Sequence, residues 1–303
     1  FRREEKMGTL NIRMMGSFSI NNDREDLFSK LSSKSAAIIA LLVCNESGKM
    51  ARDKLASVLW ADSFETANYN LRYNLWNIKK VIPCDDSGNE FIISTKDYCC
   101  INPDYSFECD LMALEGIDLK EGEKEDKKLI DKLIFARKNL KGDFLDQFYI
   151  KDSDDFNEWV LFQRARYQKK HIQSLNLLLD YYTREGIYED ATEILEDILR
   201  VNPYDEEACY GLMKLHIEKN ERHLAIMQYR KCYNTLRQEL NISPQKKIKD
   251  LYMTLVDSEE SSDKLRRENV VIKVNEYADP GCDYILLSEL SEKLLEISRS
   301  NQV

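Results

Sequence analysis

Placed on a helix at 100° per residue, residues 64–82 bring Tyr69, Arg72, Tyr73, Trp76, Asn77 and Lys80 to one face, with Asn68 and Lys79 on its flank. The opposite face carries Phe64, Leu71, Leu75, Ile78 and Ile82, an apolar stripe that faces a core. Long aromatic and cationic side chains turned outward in such number are unusual for plain solvent exposure. Their chemistry suits a nucleic-acid groove. Arg donates two bonds to guanine, Asn reads adenine, and Tyr, Trp and Lys reach phosphates or sugars. Lys34 and Arg52, near the starts of two earlier helices, and Lys96, in a turn between two strands, are further cations for phosphates. The competing reading packs Tyr69, Tyr73 and Trp76 on another domain and leaves Lys79 and Lys80 to complement the helix C-terminus.

Other chemistry is poorly supplied. The chain holds no G-x-x-x-x-G-K-[ST], G-x-S-x-G, H-E-x-x-H or G-x-G-x-x-G, so neither an enzyme nor a cofactor is expected. Its eight cysteines form no C-x-x-C, and three histidines give little to bind a metal with. Reduced, buried thiols in a cytoplasmic protein are the expectation. Adjacent Cys99 and Cys100 point to opposite faces of a strand, which disfavours their pairing. No apolar run approaches the ~18–20 residues of a membrane span, and the charged start, Phe1 to Lys6, does not read as a signal peptide.

The elements that position the outward face follow from spacing. Ten Gly and five Pro are about 5% of the chain against a usual ~12%, which favours helices over turn-rich folds. Leu10, Ile12, Met14, Phe18 and Ile20 alternate around Gly16 and lead to a turn at Asn21 to Asp23, predicting a short hairpin. Serines cap a helix running from Ser33 to Gly48, and a second short helix runs from Arg52 to Trp60. A third opens at Asp62, with Glu65 as a capping box, and stops at Pro83. Residues 91–101 read as a second hairpin, with its turn at Thr95 to Asp97. Strands, three helices and a hairpin in this order are those of a winged helix.

Beyond Pro103 the texture is helical almost to residue 257, after a mixed-charge stretch from Lys120 to Lys128. An echo at a spacing of 34 pairs Leu178 with Leu212, Tyr182 with His216, Gly186 with Asn220 and Ala191 with Ala225; with Pro203 it fits a tetratricopeptide pattern. Charge divides along the same line. Residues 1–100 carry 14 Lys and Arg against 13 Asp and Glu, whereas residues 101–303 carry 30 against 41. The net charge of −10 therefore belongs to the helical part. The near-neutral N-terminal part is the best support for an alternative function, a tetratricopeptide scaffold or signalling adaptor without DNA binding.

Particular residues resemble the SARP-type transcriptional activators, the antibiotic regulatory protein class. The similarity starts at Leu10 to Phe18 and continues through Lys34 to Leu42 and Arg52 to Trp60. Ala67 to Ile82 is similar to the family's recognition helix. In the helical part, Leu140 to Leu145, Glu158-Trp159 with Arg164 and Arg166, Gly186 to Pro203, and Leu240 to Pro244 carry it, covering about residues 9–257. Asn241 stands where the family has Gly, a change that Asn tolerates in a left-handed conformation.

The resemblance implies a mostly α fold with a small α+β part. A response-regulator-like winged helix over 9–105, as in phosphorelay effectors, precedes a helical bacterial transcriptional activator domain over 106–257. Residues 258–303 are then a linker and the possible start of a sensor domain. It also implies a cytoplasmic activator that binds double-stranded DNA as paired protomers on direct repeats, a homodimer on DNA. RNA polymerase or another protein would contact the helical domain, and no membrane is involved.

Overall fold

The structure is a computed structural model that describes residues 9–61, 64–115, 117 and 127–256. The N-terminal elements are β1 (Leu10–Arg13), β2 (Ser19–Asn21), α1 (Ser33–Val43), β3 (Met50–Ala51), α2 (Arg52–Leu59), α3 (Phe64–Val81), β4 (Ile92–Ser94), β5 (Tyr98–Ile101) and β6 (Phe107–Cys109). Then come α4 (Met112–Glu115), α5 (Lys127–Asn139), α6 (Asp154–Arg184), α7 (Tyr188–Val201), α8 (Glu206–Glu218) and α9 (Arg222–Glu239). Residues 246–256 are also helical. The fold is mostly α with a small sheet part. The capping box at Asp62, most of the stretch 120–128 and everything from 257 on lie outside the described residues.

Both expected hairpins are present. β1 and β2 run antiparallel with Ile12 opposite Ile20, and β4 and β5 with Ile92 opposite Ile101. Each hairpin gains a third strand: β6 joins β1 in parallel and β3 joins β5 antiparallel. Three- and two-residue strands carry no readable alternation, which is why the sequence did not disclose them. The first hairpin reverses around Gly16, whose φ is +91°. The Asn21–Asp23 turn follows it, closed by Asn22 Oδ1 accepting from the amides of Arg24 and Glu25.

α1 is apolar on every side and buried from Ser35 to Leu42, so it forms the centre of the N-terminal part. Each of Ile38, Ile39, Leu41 and Leu42, at 3% exposure or less, contributes about 1.5–3 kcal/mol by leaving water. Ser32 caps the helix, its Oγ accepting from the Ser35 amide at 3.0 Å.

One buried apolar cluster extends from Leu10 through the three N-terminal helices, the 140–150 loop and the first half of α6 to Tyr167. The join between hairpin and loop is backbone against backbone. Gly16 N donates to Asp143 O at 2.8 Å, Leu145 N to Met14 O at 2.7 Å, and Asp146 N to Gly16 O at 2.9 Å. Gly142, with φ +101°, faces Gly16 so closely that a Cβ on it would lie 3.1 Å from the Gly16 Cα. Arg164 on α6 locks the loop from behind, donating to the carbonyls of Phe144 and Leu145 at 2.8 and 2.7 Å. Asp110 holds the other side of the hairpin, its carboxylate accepting from the amides of Met14 and Met15.

A second cluster joins α5, the later half of α6, α7 and α8 up to Leu215. The 34-residue echo is visible as geometry. Gly186 and Asn220 both follow a helix with positive φ, +71° and +58°, while Ala191 and Ala225 are both fully buried. The described residues 216–256 form a second compact unit. There Asn241 takes φ +55°, the left-handed conformation expected of it. Tyr229 of α9 stacks on Tyr252, with ring centroids 4.0 Å apart.

His171 on α6 is 6% exposed. Burial lowers its pKa below the usual 6.5, against the pull of Asp197. The unfolded chain therefore binds a proton that the folded one resists, so stability is full above about pH 6.5 and falls as the pH drops through it. His171→Gln is expected to flatten this acid limb. Melting temperatures between pH 7 and 5 check it: an unchanged slope would contradict the burial argument.

Candidate nucleic-acid interface

α3 is held along one side and at its C-terminal end. Leu71, Ile78 and Ile82 are buried in the core and Leu75 is half-buried, while Pro83 ends the helix. A second seam runs down its flank to the start of α1. Asn74 is buried; its Oδ1 accepts from Ser32 Oγ at 2.6 Å and Ser35 Oγ at 2.9 Å, and its Nδ2 donates to Asn70 O at 2.8 Å. Asn77 Oδ1 accepts from Ser35 Oγ at 3.0 Å. Asn77, read from spacing as part of the outward face, is thus turned to the α1 serines. The four side chains fix the rotation of α3, and with it the direction its other face points.

That other face is open. Tyr69, Tyr73 and Trp76 are 68%, 56% and 54% exposed, and Asn68, Arg72 and Lys80 are exposed beside them. The aromatic rings are therefore not packed under another part of the described chain. Tyr73 and Trp76 lie with ring centroids 5.9 Å apart, and Lys80 Nζ sits 5.2 Å from the Trp76 ring, so these three form a continuous strip. Arg72 bends back so that Nε donates to Asn68 O at 3.3 Å; its terminal nitrogens remain available for a partner.

The second hairpin stands next to this face. Trp76, Lys79 and the β4 residues Ile92 and Ser94 border one cleft of about 320 Å³. Lys96 is exposed at the hairpin tip, where Thr95 Oγ1 accepts from the amides of Asp97 and Tyr98. Lys79 is ion-paired with Glu90, which raises its pKa. Spacing did not single out Lys49; it is exposed, 4.7 Å from the ring of Tyr98 on β5. Its position after Gly48 gave no hint that it joins the hairpin.

The two remaining cations have partners within the fold. Lys34 Nζ donates to Leu59 O at 2.7 Å, capping the C-terminus of α2, and lies 5.0 Å from the Trp60 ring. Arg52 donates through Nη1 to Ser94 Oγ at 2.6 Å, and its amide donates to Asp97 O. Both tie neighbouring elements together, and Arg52 braces the hairpin turn that carries Lys96. Cys44, Cys99, Cys100, Cys109, Cys209 and Cys232 are free and buried, and Cys84 is free and exposed. Both Cys99 and Cys100 are buried although they alternate along the strand, and Cys99 Sγ lies 3.4 Å from Ser94 Oγ. Among the described residues no group of His, Cys, Asp and Glu could hold a metal ion, and no helix is long and apolar enough to cross a membrane.

Comparison with known proteins agrees with this architecture. Residues 118–256 match the family model of the bacterial transcriptional activator domain. Among solved structures, the chain resembles Mycobacterium tuberculosis EmbR in complex with a low affinity phosphopeptide, at a TM-score of 0.59 and 18% identity. That match covers 90% of this chain and 73% of that one. No curated protein matches the chain. Residues 118–256 therefore belong to the bacterial transcriptional activator domain family. The whole chain shares the fold of that solved structure, a winged helix followed by a helical domain.

Proposed function

We propose that the chain activates transcription by inserting α3 into the major groove of double-stranded DNA, with the β4–β5 hairpin as wing. The observation that carries this reading is the open strip of Tyr69, Arg72, Tyr73, Trp76 and Lys80, on a helix whose rotation is fixed by the α1 serines. Arg72 and Asn68 read base edges; the aromatic rings fill the groove against bases and sugars; Lys80 and Lys96 meet phosphates. Lys79, Lys34 and Arg52 each have internal partners that a phosphate would share.

The working division is a winged helix over 9–105 and an activator domain over 106–257, with 258–303 following. The helical part provides the contacts to a second protomer on direct repeats and to RNA polymerase, and the site of action is the cytoplasm. The chain acts by binding, with no catalytic step of its own. The near-neutral charge of residues 1–100 favours the scaffold reading instead, and a direct binding measurement separates the two. Lys80→Ala is expected to weaken binding to all duplexes alike and to reduce the slope of log K against log salt by about 1. Gel shifts across a salt series check this. A loss confined to one sequence would mean that Lys80 contacts a base.

A further inference from the structure

A cleft of about 580 Å³ opens where the 140–146 loop, α6 and the end of α7 meet, next to the clasp between Gly16 and Gly142. Its size is that of a small-molecule site. One wall is apolar, formed by Met15, Leu140 and Phe144. His171, Arg137 and Asp197 line its more buried part, and Arg200 lies exposed at the rim. His171 is more than nine-tenths buried, lines the cleft, and has no hydrogen-bond partner for its ring among the described residues. Its ring nitrogens are not sealed from solvent, so they can bond whatever occupies the cleft.

Arg137 and Arg200 against Asp197 leave this part of the cleft with one net positive charge. Arg137 Nε and Arg200 Nη1 both bond Asp197, so two guanidiniums share that carboxylate. Glu193 takes the other side of Arg137 at 2.9 Å, but it is 64% exposed at the rim and does not line the cleft. Asp143 and Asp146 line the opposite, exposed edge. An anionic head is therefore drawn toward Arg200 and Arg137, and an apolar body would lie along Met15, Leu140 and Phe144.

We propose that this cleft binds a small organic acid, its carboxylate beside Arg200 and Arg137 and a hydrogen bond to His171. Because Met15 belongs to the first hairpin and Phe144 to the loop clasped on it, the ligand touches both sides of the join between the DNA-reading part and the helical part. The site stands independently of the DNA-binding reading, since nothing in it involves α3.

The test uses the full chain and three carboxylates, indole-3-acetate, 3-phenylpropionate and decanoate, each against its primary amide. Ligand-observed NMR and thermal shift are the readouts. At least one acid should bind with a Kd on the order of 100 µM, at least ~10-fold tighter than its amide. Arg200→Glu changes an exposed side chain and should abolish the preference for the acid while keeping the melting transition. His171→Phe should weaken the acid and the amide together. The proposal is overturned if no acid binds, if acid and amide bind equally, or if Arg200→Glu leaves the acid's affinity unchanged.

Discussion

Gly16→Ala is expected to lower the unfolding free energy by about 3 kcal/mol, from left-handed strain and two compromised backbone hydrogen bonds. The cause is local and severe. At φ +91° an added Cβ would sit 2.1 Å from the carbonyl oxygen of Lys141, and backbone cannot swing away as a side-chain tip can. Either the hairpin or the 140–146 loop must move, loosening Gly16 N to Asp143 O and Asp146 N to Gly16 O. The melting temperature should fall by about 6–12 °C for a chain of this size. Gly88 provides the control, with φ +83° and open space around it, so Gly88→Ala should cost only about 1 kcal/mol. Equal melting temperatures for the two variants would show that the clasp does not carry the join.

Arg72→Ala is expected to cost about 1–3 kcal/mol of DNA-binding free energy, roughly 5- to 150-fold in affinity, and to relax base preference at one position. Its side chain is exposed and makes one local bond, Nε to Asn68 O at 3.3 Å. Folding stability should therefore change little, and the effect should appear in binding alone. Lys80→Ala acts on all sequences alike, so the pair separates base reading from phosphate contact. A gel-shift series in which Arg72→Ala binds its site as well as the unaltered chain would remove Arg72 from base reading.

The two faces of α3 were legible because eighteen helical residues give the 3.6 period room to show both the apolar stripe and the exposed aromatic strip. The same holds for α1, whose serine cap and continuous apolar run leave little choice. The 34-residue echo anticipated the left-handed residues Gly186 and Asn220, because a helix end has a chemical signature of its own. Asn77 was misjudged for a physical reason. A helical wheel places it outward, but only the position of α1 shows that Ser35 is waiting for it.

Lys34 and Arg52 show the same limit. A cation near a helix start suits a phosphate, and nothing nearby in sequence says that Leu59 O or Ser94 Oγ will meet it first. The Gly16–Gly142 contact is the extreme case: each glycine is readable as a turn, but their meeting is a property of the fold. The cleft around His171 was illegible for that reason too, being assembled from the first hairpin, one loop and three helices.

The most direct test of the central claim is selection of bound duplexes from a random library with the full chain, followed by gel shifts of the selected site against salt for the unaltered chain, Arg72→Ala and Lys80→Ala. Base reading by α3 predicts enrichment of a defined site and an affinity that falls steeply with salt. It also predicts loss of base preference in Arg72→Ala and a shallower salt slope in Lys80→Ala. A library that emerges without enrichment, or a selected site that both variants bind as tightly as the unaltered chain, would contradict the assignment of α3 as the DNA-reading helix.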